Sequence, residues 1–270
     1  MKRIGLLIML ISGMTLYAQK YGLSIEAGQS FGILKKDFTD AAFNANKSYS
    51  LGTAQSQALR FTIFPDSSNW YFTTGLEWFR GVQTITAYQA GSDSGYFKSN
   101  ARSLNSLRLQ AQLAYRFDLK YIKIDIKVGA VLPILSSNKE QQMTVDSVRS
   151  ATTTLKLKNY TSVGFKGGLG LSRTLVPNLD IFLNSDIVLL NTQVHSAEVI
   201  DYYDSDGRSL ETVYPDVAYR QTEYHKDPTL VRNNESVLPA IFKKSQATDK
   251  LTYTQSVCSL QFNLGFIYKF

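Results

Sequence analysis

Residues 259–270 read Ser-Leu-Gln-Phe-Asn-Leu-Gly-Phe-Ile-Tyr-Lys-Phe. Every even-numbered residue in this stretch is apolar or aromatic, whereas the odd-numbered residues are mostly polar or glycine. Because an extended chain sends successive side chains to opposite faces, the stretch predicts a β-strand with one apolar, aromatic face. Such a face requires an apolar solvent or an apolar partner.

The same period of two recurs along the rest of the chain. Apolar residues alternate with polar or small residues in segments at about 21–28, 58–63, 72–78, 107–117, 122–128, 163–171 and 181–189. Together with the last segment, the pattern predicts about eight strands.

The connections between these segments differ in length. Those at 65–69, 118–120 and 176–178 are short and rich in Pro, Asp, Ser and Asn, which indicates tight turns. Those at about 34–54, 81–103, 136–159 and 191–250 are long. Short and long connections on opposite sides are typical of outer-membrane barrels, where the turns face the periplasm and the loops face the outside. Both chain ends are then expected on the periplasmic side.

Backbone hydrogen bonding explains why such strands would close into a barrel. Lipid offers no hydrogen-bond partner, so a sheet in a membrane cannot leave an edge unpaired. We therefore predict an all-β fold: an antiparallel up-and-down transmembrane β-barrel of about eight strands, with short periplasmic turns and long extracellular loops. The alternative is a secreted soluble barrel or sandwich whose apolar face forms its core. That alternative explains the alternation but not the asymmetry of the connections.

Aromatic residues collect at both ends of the predicted strands, as they do in the interfacial girdles of membrane barrels. Near the short turns these residues are Phe64, Trp70, Tyr115, Phe117, Tyr121, Tyr268 and Phe270. Near the long connections they are Phe31, Trp78, Tyr160 and Tyr253.

The N-terminal segment is typical of a secretory signal. Lys2 and Arg3 precede an apolar run at 4–11, and Ala18 precedes a suitable cleavage point. The run is too short for a membrane-spanning helix, which needs about 20 residues. We expect a signal peptide at 1–18 and a barrel domain at 19–270, which is exported to the bacterial outer membrane.

The charge and cysteine content exclude some classes of function. The formal net charge is +7, but the basic residues are scattered, so we expect no nucleic-acid partner. The chain has one cysteine, Cys258, and therefore no intrachain disulfide is expected.

Charged residues within the strands fall mainly on the face opposite the apolar one. A lipid-facing Arg or Lys at mid-depth costs about 2–4 kcal/mol, so this parity is expected of a membrane barrel. The predicted lumen charge network consists of Glu26, Arg60, Glu77, Arg108, Arg116, Lys123, Asp125, Lys127, Lys166 and Asp186. Such a network forms either a salt-bridged plug, which we favour for an eight-stranded barrel, or a narrow pore.

The predicted signal, the strand number and the C-terminal aromatics resemble the small outer-membrane β-barrel superfamily of OmpA-like and OmpX-like proteins, including PorT-like barrels. This porin-like resemblance covers the whole mature chain and implies a Gram-negative cell envelope. It also implies that the barrel-assembly machinery reads the terminal strand as an insertion signal. The residues of that signal would be Phe262, Leu264, Phe266, Tyr268 and Phe270.

The last connection, at about 191–250, is far longer than a simple turn and is expected to carry function. Tyrosines suit recognition because they offer a large contact area with a polar tip. The candidate recognition residues are Tyr202, Tyr203, Tyr214, Tyr219 and Tyr224. A hairpin is also expected here, in which 192–203 pairs with 208–214 around the turn at 204–207.

Neither catalytic nor metal-binding residues are expected. His195 and Ser196 are adjacent, and adjacent residues in a strand point to opposite faces, so they could not act as base and nucleophile without a bulge. The acidic residues around Gly207 do not have the spacing of an EF-hand calcium loop. We predict no enzyme activity and no cofactor.

The predicted role is structural or one of surface interaction, with the outer-membrane lipid bilayer as the surrounding and the assembly machinery as a partner. The alternative is a small channel or a component of a protein-secretion complex. Under either interpretation, the further partner to look for is an extracellular or secretion-complex protein.

Overall fold

The computed structural model describes residues 20–33, 36–40, 45–65, 68–90, 97–146, 149–215, 220–225, 248–251 and 254–270. The predicted signal peptide at 1–18 lies outside these ranges. Within them, no helix has the length and apolar character needed to cross a membrane.

The described residues form sixteen strands and one short helix. In chain order they are β1 (Lys20–Gly32), β2 (Lys36–Asp40), β3 (Ala45–Tyr49), β4 (Ala54–Phe64), β5 (Trp70–Gly81), β6 (Thr84–Ala90), β7 (Phe97–Asp118), β8 (Lys123–Val145), β9 (Ser150–Asn159), β10 (Gly164–Val176), β11 (Leu179–Leu189), β12 (Asn191–Asp204), α1 (Leu210–Val213), β13 (Gln221–His225), β14 (Thr248–Leu251), β15 (Thr254–Ser256) and β16 (Ser259–Lys269).

Eight of these strands close into an antiparallel barrel, which confirms the predicted fold. The order around the barrel is β1-β4-β5-β7-β8-β10-β11-β16, and β16 returns to pair with β1. At the closure, Leu23 lies opposite Tyr268. Beyond it, the Tyr21 and Phe270 backbones exchange two hydrogen bonds of 3.0 and 2.8 Å. The ring of eight strands is therefore closed, as a sheet surrounded by lipid requires.

The alternation of side chains fixes which face is inside. Along β16, Gln261 and Asn263 are buried, while Leu264 between Asn263 and Gly265 is 53% exposed. The same parity leaves Ile25 on β1 65% exposed. The outer face of the barrel is thus a broad apolar surface, and the inner face is polar. Phe64 was expected in the aromatic girdle but lies on the inner face, because it shares the parity of Arg60 on β4.

The short turns connect the barrel strands at one end, as predicted, at 65–69, 119–122 and 177–178. The last of these is tight enough to place Asn178 in the left-handed region, with φ of 70°. Asparagine tolerates this conformation better than most residues.

The long connections differ from the prediction, because much of their length is strand rather than loop. β7 and β8 run on for 22 and 23 residues, well past the barrel. β6 pairs with the extension of β7, β9 with the extension of β8, and β12 with β9. These extensions form a sheet that we call the outer wall, at the end of the barrel opposite the short turns.

The predicted hairpin in the last connection is wrong in its pairing. Residues 192–203 belong to β12, which pairs with β9 rather than with 208–214. Residues 208–214 contain the helix α1, and their strand pairing with β12 is limited to an isolated bridge between Ser209 and Tyr203. The turn itself is present, and Gly207 has a φ of 74°, a backbone conformation that residues other than glycine rarely adopt.

Candidate functional site

The lower end of the lumen, next to the short turns, holds two ion-pair groups. Arg116 on β7 binds Asp125 on β8 in a two-pronged pair, with contacts of 2.8 and 3.0 Å. Asp180 on β11 lies 3.1 Å from the Nζ of Lys123 and 2.5 Å from the Nζ of Lys269. These pairs stitch together four strands, β7, β8, β11 and β16, at this end of the barrel.

The middle of the lumen is organised by Arg60 on β4. Its guanidinium pairs with Glu26 and also donates to Oε1 of Gln112 at 3.0 Å. Glu26 in turn accepts a hydrogen bond of 3.2 Å from Asn184. Gly75 on the neighbouring strand leaves room for Arg60, because a Cβ there would collide with the Leu59 carbonyl oxygen and with Cα and Cγ of Arg60.

Above this lies a cluster of buried charged side chains. Lys166 is 3.2 Å from Asp186 and 3.8 Å from Glu77. Arg108 pairs with the same Glu77 at 3.6 Å, and Lys127 lies 3.9 Å from Asp186. Glu77, Arg108, Lys166 and Asp186 are each 0% exposed. We call these four residues the buried quartet.

An apolar layer lies above the buried quartet, on the side of the outer wall. The guanidinium carbon of Arg108 lies 3.5 Å from the ring centroid of Phe79. Phe79 belongs to a buried cluster whose members come from β4, β5, β7, β8, β11 and the segments beside β4, β11 and β16. Its members are Leu51, Ala54, Phe79, Leu104, Val131, Val188, Leu190 and Val257. Below the quartet, the lumen contains a polar cavity of about 40 Å³, lined by residues such as Glu26, Thr73 and Lys127.

Of the ten residues predicted to face the lumen, eight are buried, and Arg116 and Lys123 are partly buried. The structure adds Asp180 and Lys269, which the sequence analysis did not include. Asp180 shares the parity of Asp186 on the same strand, so the alternation could have identified it. Lys269 is one residue from the chain end, where alternation alone is weak evidence.

The terminal strand places its aromatic residues on the outer face. Leu264, Phe266, Tyr268 and Phe270 are all exposed, as is Phe262, which packs edge-on to Phe31 of β1 with ring centroids 6.2 Å apart. Their role as an assembly signal remains a prediction.

Of the predicted recognition tyrosines, Tyr202 and Tyr203 lie on β12 in the outer wall, and Tyr214 directly follows α1. Tyr203 is 67% exposed, whereas Tyr202 packs edge-on to Tyr214 at 5.7 Å and donates its hydroxyl to Asp204 at 3.1 Å. Burial favours the neutral form of Asp204, but hydrogen bonds from the Arg208 backbone, Tyr202 and the Arg208 side chain hold its pKa below its ordinary value. The ionised Asp204 therefore holds the turn that follows it through hydrogen bonds from the backbone of Asp206 and Arg208 and from the Arg208 side chain.

The other two predicted recognition residues carry no side-chain description. Tyr219 lies outside the described residues, and Tyr224 is known only as part of the backbone of β13.

His195 lies at a bulge, because the pairing of β12 with β9 shifts register between Val194 and Ser196. The imidazole is exposed and packs on the ring of Tyr160, with centroids 4.9 Å apart. Within the described residues, no hydrogen bond joins His195 to Ser196, and no group of His, Cys, Asp and Glu has the geometry of a metal site.

No protein-family model and no curated protein sequence matches the chain. Among solved structures, it is similar to a major outer membrane protein from Thermus thermophilus, with 11% identity, a TM-score of 0.42, and coverage of 94% of this chain and 100% of that one. For Neisserial surface protein A, the identity is 11%, the TM-score 0.39 and the coverage 93% and 97%. For Ail, the attachment invasion locus protein of Yersinia pestis, the identity is 10%, the TM-score 0.34 and the coverage 93% of this chain and 98% of that one. These likenesses are distant, and the assignment of a barrel rests on the strand pairing itself.

Proposed function

We propose that the chain is an integral protein of the bacterial outer membrane with a closed barrel, and that its role is structural or one of surface interaction. The apolar outer face supports the membrane location, since a surface of this extent is unfavourable in water. The asymmetry between short turns and the outer wall supports an orientation with the wall outside the cell.

By a closed barrel we mean one whose lumen does not conduct ions. The filled lumen is the observation that carries this proposal. The buried quartet fills the lumen above Arg60, and the apolar layer lies on the other side of the quartet. An ion crossing this layer would lose its hydration and gain little polar contact in return, which is very unfavourable. The lumen charges then stabilise the barrel rather than conduct.

The outer wall is the part that is available for interaction. It presents the exposed Tyr203 and a turn held by Asp204, both on a continuous sheet rather than on isolated loops. A rigid sheet carrying exposed aromatic residues suits binding of another macromolecule, because little conformational entropy is lost. The role does not require a catalytic group, and we propose none.

Planar-bilayer recording of the purified protein tests the closed barrel. We expect no stepwise conductance from the wild-type protein. A triple variant, L51A/F79A/L104A, removes bulk from the apolar layer and is expected to show small, discrete openings. Such openings would show that the protein inserts into the bilayer, so silence of the wild type could not be explained by failed insertion. Regular openings of the wild-type protein would contradict the closed barrel and favour a channel.

A further inference from the structure

A break in strand pairing opens the side of the barrel near the outer wall. β8 pairs with β10 as far as Val131 opposite Gly164, and with β9 only from Asn138 opposite Leu157. In between, residues 132–137 of β8 run past residues 158–163 without ladder pairing. Pro133 suits this unpaired edge because it has no N–H to leave unsatisfied. We call this opening the wall cleft.

The wall cleft leads from the outer surface towards the interior. It has a volume of about 100 Å³. Its outer part includes Pro133 and Ile134, and its inner part reaches Leu190 and Thr192, which are both buried. Oγ1 of Thr192 and Oγ of Ser162, both lining the cleft, are buried and have no hydrogen-bond partner among the described residues. A ligand group that carries oxygen atoms would give both hydroxyls a hydrogen-bond partner, so the cleft is suited to such a group.

The mouth of the cleft lies at the upper edge of the apolar surface. Ile134, Leu135 and Val163 beside it are all more than half exposed. Leu135 lies opposite Leu107, which lies opposite Trp78 on β5, so the mouth shares its register with an aromatic residue of the predicted upper girdle. Acyl chains of the outer leaflet would therefore reach the mouth.

Basic side chains lie just beyond the mouth on the outer face. Lys139 on β8 is directly opposite Lys156 on β9, and Lys158 is two residues further along the same strand. All three are exposed and alternate with buried residues such as Leu157, so they point outwards. We call these three residues the lysine patch.

Like charges directly opposite each other in a sheet are destabilising. Glu198 lies opposite Lys156 on its other side, yet within the described residues no ion pair forms with any of these three lysines. Glu223 lies on the same face, across Ser196 from Lys158, so three cations and two anions leave a net positive charge here. An anionic ligand would remove the repulsion between Lys139 and Lys156.

We propose that the wall cleft and the lysine patch bind a phosphorylated glycolipid of the outer leaflet. The inference rests on the proposed outer-membrane location. Going outward from the apolar surface, the protein presents an apolar rim, then a cleft lined by hydroxyl groups, then lysines. Acyl chains, sugar and phosphate follow one another in the same order in such a lipid, and ammonium groups pair with phosphate.

Lipid retention in nanodiscs tests this inference. The wild-type protein is reconstituted in phosphatidylcholine with a small fraction of either diphosphoryl lipid A or phosphatidylglycerol, and the lipids that stay bound are counted by native mass spectrometry. We expect lipid A to be retained in preference to phosphatidylglycerol. The variant K139Q/K156Q is expected to retain roughly tenfold less lipid A, since each basic group near an anionic surface contributes appreciably to binding.

Two further variants separate the effect of the lysine patch from that of charge elsewhere and from that of the cleft hydroxyls. K120Q/R173Q removes the same charge from exposed residues at the opposite end of the barrel and is expected to retain lipid A like the wild type. S162A/T192V keeps all lysines and is expected to lower retention several-fold, because it removes both unpartnered hydroxyls.

Equal retention of lipid A by K139Q/K156Q and the wild type would overturn the inference, as would equal retention of phosphatidylglycerol and lipid A. Incorporation into nanodiscs as folded barrel is scored separately by heat-dependent gel mobility. A failure there would contradict the membrane location itself rather than the glycolipid site.

Discussion

Replacing Glu77 with alanine is expected to lower the free energy of unfolding by about 3–5 kcal/mol, the range for removing one partner of a buried ion pair. Glu77 is fully buried and lies 3.6 Å from Arg108 and 3.8 Å from Lys166. In the variant, Lys166 keeps Asp186 at 3.2 Å. Arg108 has no second acidic partner among the described residues, so its charge would remain buried and uncompensated. Urea unfolding in lipid vesicles, followed by gel mobility, measures the change.

Two controls isolate the cause of that loss. E77A/R108M removes both charges of the pair and is expected to be considerably more stable than E77A alone, because no unpaired cation remains. E198Q changes a carboxylate on the outer wall and is expected to alter the free energy of unfolding by less than about 0.5 kcal/mol. If E77A unfolded at the same urea concentration as the wild type, the buried quartet would have no part in holding the barrel together.

The inner face of the barrel was largely predictable from the sequence, and the reason is physical. In a strand, the face of a residue depends only on whether its position is odd or even, so Glu77 and Arg108 could be placed inside without knowing which strands were neighbours. The pairing of Glu77 with both Arg108 and Lys166 could not be predicted in this way. It depends on the stagger between strands, which alternation within one strand does not specify.

Replacing Leu264 with arginine is expected to destabilise the protein in a bilayer by about 2–4 kcal/mol, the cost of a cation facing lipid at mid-depth. Leu264 lies in the middle of β16 and is exposed on the outer face, opposite Ala27 on one side and Leu183 on the other. In a soluble barrel, the same change at an exposed position would be close to neutral. Urea unfolding in vesicles therefore distinguishes lipid from water around this residue.

The matched control is T154R, which places the same side chain on the outer face of the outer wall, opposite Gln141. Because the wall extends beyond the apolar surface, we expect a change of less than about 0.5 kcal/mol there. Equal effects of L264R and T154R would contradict the boundary drawn between barrel and wall.

The outer wall was the main feature that the sequence did not reveal. Residues 136–159 were expected to be a loop, yet 136–145 form the upper part of β8 and 150–159 form the paired β9. Outside the membrane neither face of a strand must be continuously apolar, so the period of two weakens there. Gln141 and Thr154, which lie opposite each other, are both polar although they face outwards, so they add nothing to a pattern of apolar and polar residues. The β-branched residues Thr152 and Thr153 do favour a strand.

The wall cleft was equally hidden, because it results from an interruption in pairing. Pro133 is the one local sign in the sequence, since proline within a strand indicates an edge or a bulge. A proline alone does not show on which side of the strand the pairing is interrupted. That required the register of β8 against both β9 and β10.

Tryptophan fluorescence can show directly whether lipid surrounds the barrel. The chain has two tryptophans, Trp70 and Trp78, and both lie on the outer face of β5, 49% and 52% exposed. They are eight positions apart, about 26 Å along the strand, so they lie near opposite edges of the apolar surface. The variants W70F and W78F each leave one reporter.

Each variant is reconstituted in vesicles whose lipids carry bromine atoms on the acyl chains near the headgroups. We predict strong quenching of the remaining tryptophan in both variants, compared with vesicles of the unbrominated lipid. Emission that is the same in brominated and unbrominated vesicles would show that the outer face does not contact lipid, and would contradict a membrane-spanning barrel.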